Sequence, residues 1–201
     1  MKIILSTRNR SKADQVRALF PPPGFTIVTL DEAGIVGNAV EDGSTLGDNA
    51  LAKALHARKQ LCGAGWVMAD DTGLFIDALG GKPGIHAARW AGPDASTSVV
   101  TKHTLKALRG MSNRRAEFRC KVALVASEKE YFFFEGSVKG SILTAERCNP
   151  QPDMPYSGIF VPEGSHKVWA QMSVEEENAI SHRGKAFREA RAFLEKTAGS
   201  K

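Results

Sequence analysis

Apolar positions along the first thirty residues fall into two strand-length runs separated by one stretch of helical spacing. Lys2-Ile3-Ile4-Leu5-Ser6 is a short continuous run, Thr7 to Ser11 is polar, and Val16, Leu19 and Phe20 then recur on one helical face. The pattern predicts a strand, a loop and a helix over 12–20, ended by Pro21-Pro22-Pro23-Gly24, then a second strand over 25–30. After an acidic, Gly-rich stretch over 31–43, Thr45 and Asp48 have the spacing of a capping box. They open a predicted helix running to about Cys62, with Leu46, Leu51, Leu55 and Leu61 as its apolar stripe and Lys53 off it. Trp66-Val67-Met68-Ala69 is predicted as a buried strand that delivers Asp70-Asp71-Thr72-Gly73 at its carboxyl end.

The second half alternates more. Leu79 to Gly84 reads as a loop and 95–108 as a helix. In the run 116–126, Phe118, Cys120, Val122 and Leu124 face one way and Arg119 and Lys121 the other, which predicts a half-solvated antiparallel strand. Residues 127–130 close a hairpin onto a strand over 131–138, with Gly136 and Gly140 marking bulges or bends. Residues 147–158 hold three prolines and read as a loop. Ser173 and Glu176 form another capping box, and Ser181 caps a last helix on which Ala186, Phe187, Ala190, Phe193 and Leu194 recur.

Composition narrows the class without naming it. The 201 residues are 42% hydrophobic and 24% charged, which excludes disorder, collagen and a disulfide scaffold and predicts one domain over 1–201. Cys62, Cys120 and Cys148 form no CxxC pair and have no His at metal-ligand spacing, which fits a reducing cytosol rather than a disulfide framework or zinc site. The apolar run after Lys2 is too short for a signal peptide, and no run suits a membrane span, so a cytoplasmic location is expected. The net charge of +5 admits a nucleic acid, an anionic membrane or a phosphorylated substrate as partner. It is uneven: 101–121 carries seven Lys/Arg against one Glu, and 181–201 carries six against two. Only 7% aromatic content and no contiguous basic run argue against a nucleic-acid reader.

Three constellations carry candidate chemistry. Thr7, Asn9 and Lys12 sit where a strand feeds a helix, an arrangement that suits an anion or simply caps the helix. Asp70 and Asp71 point to opposite faces of a strand, so one can enter a cleft while the other is tied to backbone donors. With Glu41 and Asp42 in a distant loop they offer the hard oxygens that Mg²⁺ takes alongside substrate phosphate, although an Asx-turn at a strand exit is also consistent. Ser181, His182 and Arg183 at a helix start suit phosphate or a heterocycle edge. A Ser-His-Asp triad is a poor reading, since Ser181 and His182 diverge and no GxSxG elbow exists.

Six segments, in order, now define a resemblance: 7–12 (TRNRSK), 48–54 (DNALAKA), 69–74 (ADDTGL), 79–85 (LGGKPGI), 88–92 (ARWAG) and 181–186 (SHRGKA). They resemble the inosine triphosphate pyrophosphatase family, and the match spans essentially the whole chain. The resemblance implies an elongated, two-lobed α/β fold with a mixed, strongly twisted β-sheet flanked by helices. It also implies Mg²⁺-dependent hydrolysis of a nucleoside triphosphate, by default ITP, dITP or XTP, to monophosphate and pyrophosphate, usually by a homodimer. Matching the family residue by residue, Asp71 is the general base, Glu41 and Asp71 hold metal, and Lys12 and Lys53 contact the phosphate chain. Thr7, Asn9 and Thr72 match its neutral phosphate donors and His182 and Arg183 its base-contacting pair, with Arg8, Gly73 and Ser181 as further expected substrate-binding residues. Trp90 looks exposed and is a plausible interface residue.

The base pocket departs from the family. Where the family has Phe-Gly-Tyr/Trp-Asp-Pro, this chain has Met154, Pro155, Tyr156, Ser157 and Gly158, so a stacking aromatic has become a softer Met and an acid a Ser. Glu177 stands where the family has a lysine. An ionised glutamate only accepts hydrogen bonds, which points to an amino-bearing or modified base; alternatively Glu177 is one of three solvated glutamates, 175–177. A non-catalytic nucleotide-binding regulator is the rival reading, opposed by the presence of Lys12, Glu41, Lys53 and Asp71 together.

Overall fold

Ile3, Ile4 and Leu5 are all buried, and the strand they form is paired along both edges. As β1 (Lys2–Leu5) it pairs in parallel with β2 (Thr26–Thr29) on one side and with the start of β3 (Trp66–Ile76) on the other. In this computed structural model, which describes residues 1–61 and 65–199, the sheet then continues antiparallel. β3 pairs with β5 (Arg115–Ser127), β5 with β6 (Glu130–Ile142), and β6 with β7 (Phe160–Pro162). A two-residue β4 (Pro83–Gly84), within the stretch expected to be loop, pairs with Leu74 and Phe75 of β3. The result is a mixed sheet of seven strands among the described residues, in the order β2-β1-β3-β5-β6-β7 with β4 beside β3.

The acidic pair is not at a strand end, as expected from its polarity, but inside an eleven-residue strand. Pairing with β5 runs unbroken from Val67 to Ile76, so Asp70 and Asp71 stay in the ladder opposite Val122 and Lys121. β1 nevertheless stops at Leu5, opposite Met68. From Ala69 until β4 joins at Leu74, the other edge of β3 has no strand beside it. The site forms at this gap in the sheet, beyond the carboxyl end of a parallel strand.

Helices cover both faces. α1 (Arg10–Leu19) begins two residues earlier than predicted, because Asn9 caps it: Asn9 Oδ1 accepts from the Lys12 N–H at 3.0 Å. α2 (Leu46–Lys59) opens on the expected Thr45–Asp48 capping box. Its predicted end near Cys62 lies outside the described residues. Its buried face is Leu46, Ala50, Ala54 and Ala57 with Asn49, while Leu51 and Leu55 flank the contact. The small alanines let the helix lie close on β3 and β5. α3 (Thr97–Ala107) and α4 (Val174–Ile180) are shorter. α5 (His182–Gly199) buries Ala186, Phe187, Ala190 and Leu194 as expected. Since α2 packs on one face and α1 and α5 on the other, β5 is half-solvated only in its first half; Val122 to Val125 are buried on both faces.

Gly136 and Gly140 are not bulges. The β5–β6 register runs through both, and its shift lies between Val125 and Ser127. What these positions require is closeness. A Cβ on Gly136 would run into the His182 carbonyl oxygen and lie 2.8 Å from Lys185 Cβ, and one on Gly140 would meet the Val161 carbonyl. Trp90 is half-buried rather than exposed, packed on the core and edge-on to His103 at 5.6 Å. The basic residues of 101–121 are partly engaged: Arg114 donates to three backbone carbonyls, Arg119 pairs with Glu117, and Lys121 with Glu135. Among the described residues no helix is long and apolar enough to cross a membrane.

Replacing Gly136 with Ala is therefore expected to lower stability by roughly 1–3 kcal/mol, because backbone must shift where α5 meets β6. Urea denaturation should show a lower midpoint with an unchanged slope; an unchanged midpoint would mean that the helix yields freely.

Candidate active site

Successive residues of a strand point to opposite faces, and Asp70 and Asp71 use this to reach two different sets of cations. Asp71 faces α2, where Lys53 Nζ lies 2.8 Å from Oδ1 and Asn49 Nδ2 3.3 Å from Oδ2. The same Lys53 ammonium is 3.1 Å from Glu41 Oε2. Asn49 Oδ1 accepts from the Gly43 N–H at 2.9 Å, and Arg89 donates to the Glu41 carbonyl at 3.1 Å, so the loop carrying Glu41 is pinned at both points. Asp70 faces α1 and α5. Its Oδ2 lies 3.2 Å from Lys12 Nζ, 3.4 Å from Arg183 Nε and 3.3 Å from Thr72 Oγ1. The expectation that one acid would be tied to backbone donors is thus corrected: side-chain cations hold it, because no neighbouring strand offers N–H groups at the gap.

The two carboxylates titrate in opposite directions. Burial works against charge on Asp70, but Lys12, Arg183 and Lys53 outweigh it and hold its carboxyl far below the usual range. At Asp71 burial dominates over Lys53 and raises the carboxyl above its ordinary value of 3.8, as befits a proton acceptor. Burial pulls Lys53 down, yet Asp71, Asp70 and Glu41 together raise it, so it stays a cation. His182 is depressed well below 6.5 by burial and by Arg183 beside it, which makes it a neutral ring with one donor and one acceptor nitrogen.

Lys12 lines two adjoining clefts. One is polar, with Thr7, Glu41, Lys53 and Asp70 around it. The other is apolar and aromatic, with Phe118, Met154, Tyr156, Trp169, Glu177 and His182. His182 stacks on Phe118 with ring centroids 4.8 Å apart and planes 11° from parallel. Both imidazole nitrogens, Trp169 Nε1 and Gln151 Oε1 are buried without a hydrogen-bond partner among the described residues. Leaving such atoms unpaired costs about 1–3 kcal/mol each, so their convergence on one pocket marks a place for a polar ligand.

The remaining predicted site residues fall into two groups. Thr72, Met154, Tyr156, Ser157, Glu177, His182 and Arg183 line the aromatic pocket. Within it, Tyr156 donates to the Ala87 carbonyl at 2.7 Å, and Ser157 Oγ bridges the Gln151 N–H and the Met154 carbonyl, both at 2.7 Å. Glu177 is buried, which removes the reading as a solvated glutamate. The others brace the chain around the clefts, and Thr7 and Arg8 also line the polar one. Arg8 reaches Asp31, Asn38 and the Ile35 carbonyl and braces the 31–38 loop. Thr7 Oγ1 accepts from the Asn9 N–H at 3.2 Å, Ser181 Oγ accepts from the Gly184 N–H at 2.9 Å, and Gly73 sits in β3 close under Gly84.

Sequence reasoning missed Asn49, Phe118, Gln151 and Trp169. Asn49 carried a signal, since it precedes Lys53 by one helical turn and so shares its face. The other three come from distant segments with no common spacing. For a metal, Glu41 and Asp71 converge on one cationic atom, Lys53 Nζ. No group of three or more His, Cys, Asp or Glu that could hold an ion occurs among the described residues. Two carboxylates completed by substrate oxygens is a donor set that fits Mg²⁺.

Comparison with known proteins gives the chain's family. The Ham1 family profile matches residues 3–193. A protein of Caldanaerobacter subterraneus named dITP/XTP pyrophosphatase is 35% identical over 196 residues, covering 96% of each chain. One of the same name from Clostridium perfringens is 36% identical over 191 residues, covering 92% of this chain and 93% of its own. Among solved structures, a HAM1 protein from Coxiella burnetii superposes with a TM-score of 0.83 at 31% identity, covering 98% of this chain and 99% of that one. The Staphylococcus aureus Ham1 protein gives 0.81 at 32%, covering 98% and 100%. With the six ordered segments, the fold and these matches in accord, the chain belongs to the Ham1 family.

Proposed function

We propose that this chain is a Mg²⁺-dependent nucleoside triphosphate pyrophosphatase, working as one domain over 1–201, that cleaves between the α- and β-phosphates. The observation that carries the reading is the joining of two clefts at Lys12, one lined by lysines and carboxylates and one aromatic with unpartnered polar atoms. A triphosphate suits the first and a nucleobase the second. The relatives' name, dITP/XTP pyrophosphatase, supports the same reaction and supplies the first substrates to assay.

Asp71 accepts a proton from the water that attacks the α-phosphorus. As the new P–O bond forms, the bond to the bridging oxygen of the β-phosphate breaks, and the pyrophosphate leaves with its charge facing Lys12 and Lys53. Glu41 and Asp71 would hold the Mg²⁺, which supplies further charge neutralisation at the phosphates. Lys53, now paired with both acids, is placed to turn to the phosphate chain once a metal engages them. Asp70 has a different part: it positions Lys12 and Arg183. The homodimer and cytoplasmic location implied by the resemblance complete the proposal, and equilibrium sedimentation tests the dimer.

Incubation with dITP or XTP and Mg²⁺ should release pyrophosphate, not orthophosphate, and chelation by EDTA should abolish turnover. Orthophosphate as the primary product, or binding without turnover of any nucleoside triphosphate, would overturn the reading; the second result would favour a regulator. Asp71→Asn should lower kcat by about 10²–10⁴-fold with nucleotide binding retained in calorimetry.

Asp70→Asn should instead destabilise the fold by roughly 3–5 kcal/mol near neutral pH, because it leaves the Lys12 and Arg183 charges without their partner. Since the folded Asp70 carboxyl lies below its unfolded value of about 3.9, its contribution is complete above that pH and is lost as pH falls further. The gap between wild type and Asp70→Asn in urea denaturation should therefore be level from neutral pH to about 5 and close below about 4.

A further inference from the structure

Glu177 is 3% exposed, although Glu175 and Glu176 beside it face solvent. Its carboxylate lines the aromatic pocket and is turned toward three protein groups. Gln151 Nε2 donates to Oε2 at 3.4 Å. Gln15, whose Oε1 accepts from Arg183 Nη1 at 2.6 Å, lies close enough to favour the Glu177 charge. Burial pushes the Glu177 carboxyl up, while Arg183, Gln151 and Gln15 favour its ionised form, which accepts and cannot donate.

That orientation has a consequence at Gln151. With its Nε2 committed to Glu177, the same amide must turn its Oε1 away, and that oxygen is buried and unpartnered. Arg183 and Lys12, the cations lining the same pocket, are engaged by Asp70, and Arg183 by Gln15 as well. Gln151 Oε1 and the Glu177 carboxylate therefore form a corner that offers a ligand oxygen lone pairs and no proton. A carbonyl set against these two groups would meet acceptors, whereas an amine would satisfy Gln151 Oε1 and the spare lone pairs of Glu177.

We infer that Glu177, by fixing the Gln151 amide, makes this pocket select a nucleobase that presents an exocyclic amine to that corner over one that presents a carbonyl. The inference rests on the pyrophosphatase reading and sharpens it: the preferred base differs in kind from those in the relatives' names, hypoxanthine and xanthine, which carry carbonyls and no exocyclic amine.

Matched nucleotide pairs that differ in one group test it: ATP against ITP at the 6 position, GTP against XTP at the 2 position, CTP against UTP at the 4 position. In wild type the amine member of at least one pair should have a kcat/KM ten or more times higher. Glu177→Gln, which can offer an N–H, should bring that ratio toward one, and Glu177→Lys should invert it. Gln151→Leu should also collapse the ratio with Glu177 in place, which covers the case in which a Glu177 variant fails to fold. A carbonyl preference in every pair, or a ratio that Glu177→Gln and Gln151→Leu both leave unmoved, overturns the inference. If no triphosphate is hydrolysed, the pyrophosphatase reading fails, and calorimetry with AMP, IMP, GMP and XMP still reads the corner: tighter binding of the amine members upholds the selectivity, and equal or weaker binding overturns it.

Discussion

The Asp70 carboxylate sits between Lys12 and Arg183, and much of the site's geometry follows from that buried contact. The three residues lie on β3, α1 and α5, separated by 58 and 113 positions in the chain. A buried charge is tolerable only when it is paired and hydrogen-bonded. Asp70 needs both cations, and Arg183 needs Gln15 as well, so neither helix can slide along the sheet without exposing an uncompensated charge. Because Asp70 is committed to that face, its neighbour Asp71 must project to the other, where α2 supplies Lys53 and Asn49. One strand thus delivers, from adjacent positions, an acid locked between two cations and an acid whose carboxyl is raised by burial.

The early end of β1 gives this pair its access. Had β1 continued beyond Leu5, its backbone would cover the edge of β3 at Asp70 to Gly73. Instead the chain leaves the sheet through Thr7 and Arg8 into α1, and a gap opens in which Lys12, Lys53 and Glu41 meet. The net charge of +5 has little to do with the gap. At the site, carboxylates and ammonium groups are nearly balanced, and several of the basic residues in 101–121 are spent on carbonyls or on surface pairs such as Lys121–Glu135. Charge that suggested a polyanion partner in the whole chain is resolved into a few placed groups.

The aromatic pocket is built on a different principle. Phe118 in β5 and His182 at the start of α5 stack on each other, and the close approach of α5 to β6 at Gly136 sets where His182 begins. The pocket is then left with polar atoms that the fold itself does not satisfy, at His182, Trp169 and Gln151. Packing fixes their positions and leaves their hydrogen bonds to a ligand, which is how a rigid pocket gains selectivity.

Local patterning was enough for most strand and helix identities, though not for β4 or β7, and for the two capping boxes at Thr45 and Ser173, the α5 stripe and the family resemblance, since each depends on side chains within a few residues or on short motifs. It failed where the deciding contact is distant. Asp70 and Asp71 look like a strand exit until β5 pairs with them, Gly136 looks like a bulge until α5 presses on it, and α2 buries its alanines with Leu46 rather than Leu51 and Leu55 because two strands lie under it. Glu177 is the sharpest instance. In the chain it is one of three consecutive glutamates, and nothing local separates it from its neighbours. The sequence determined that an acid stands at that position. Only the tertiary structure, which brings Gln15, Gln151 and Arg183 around it from three other segments, decided that the acid is buried, because burial and pairing belong to the whole packed chain and not to any stretch of it.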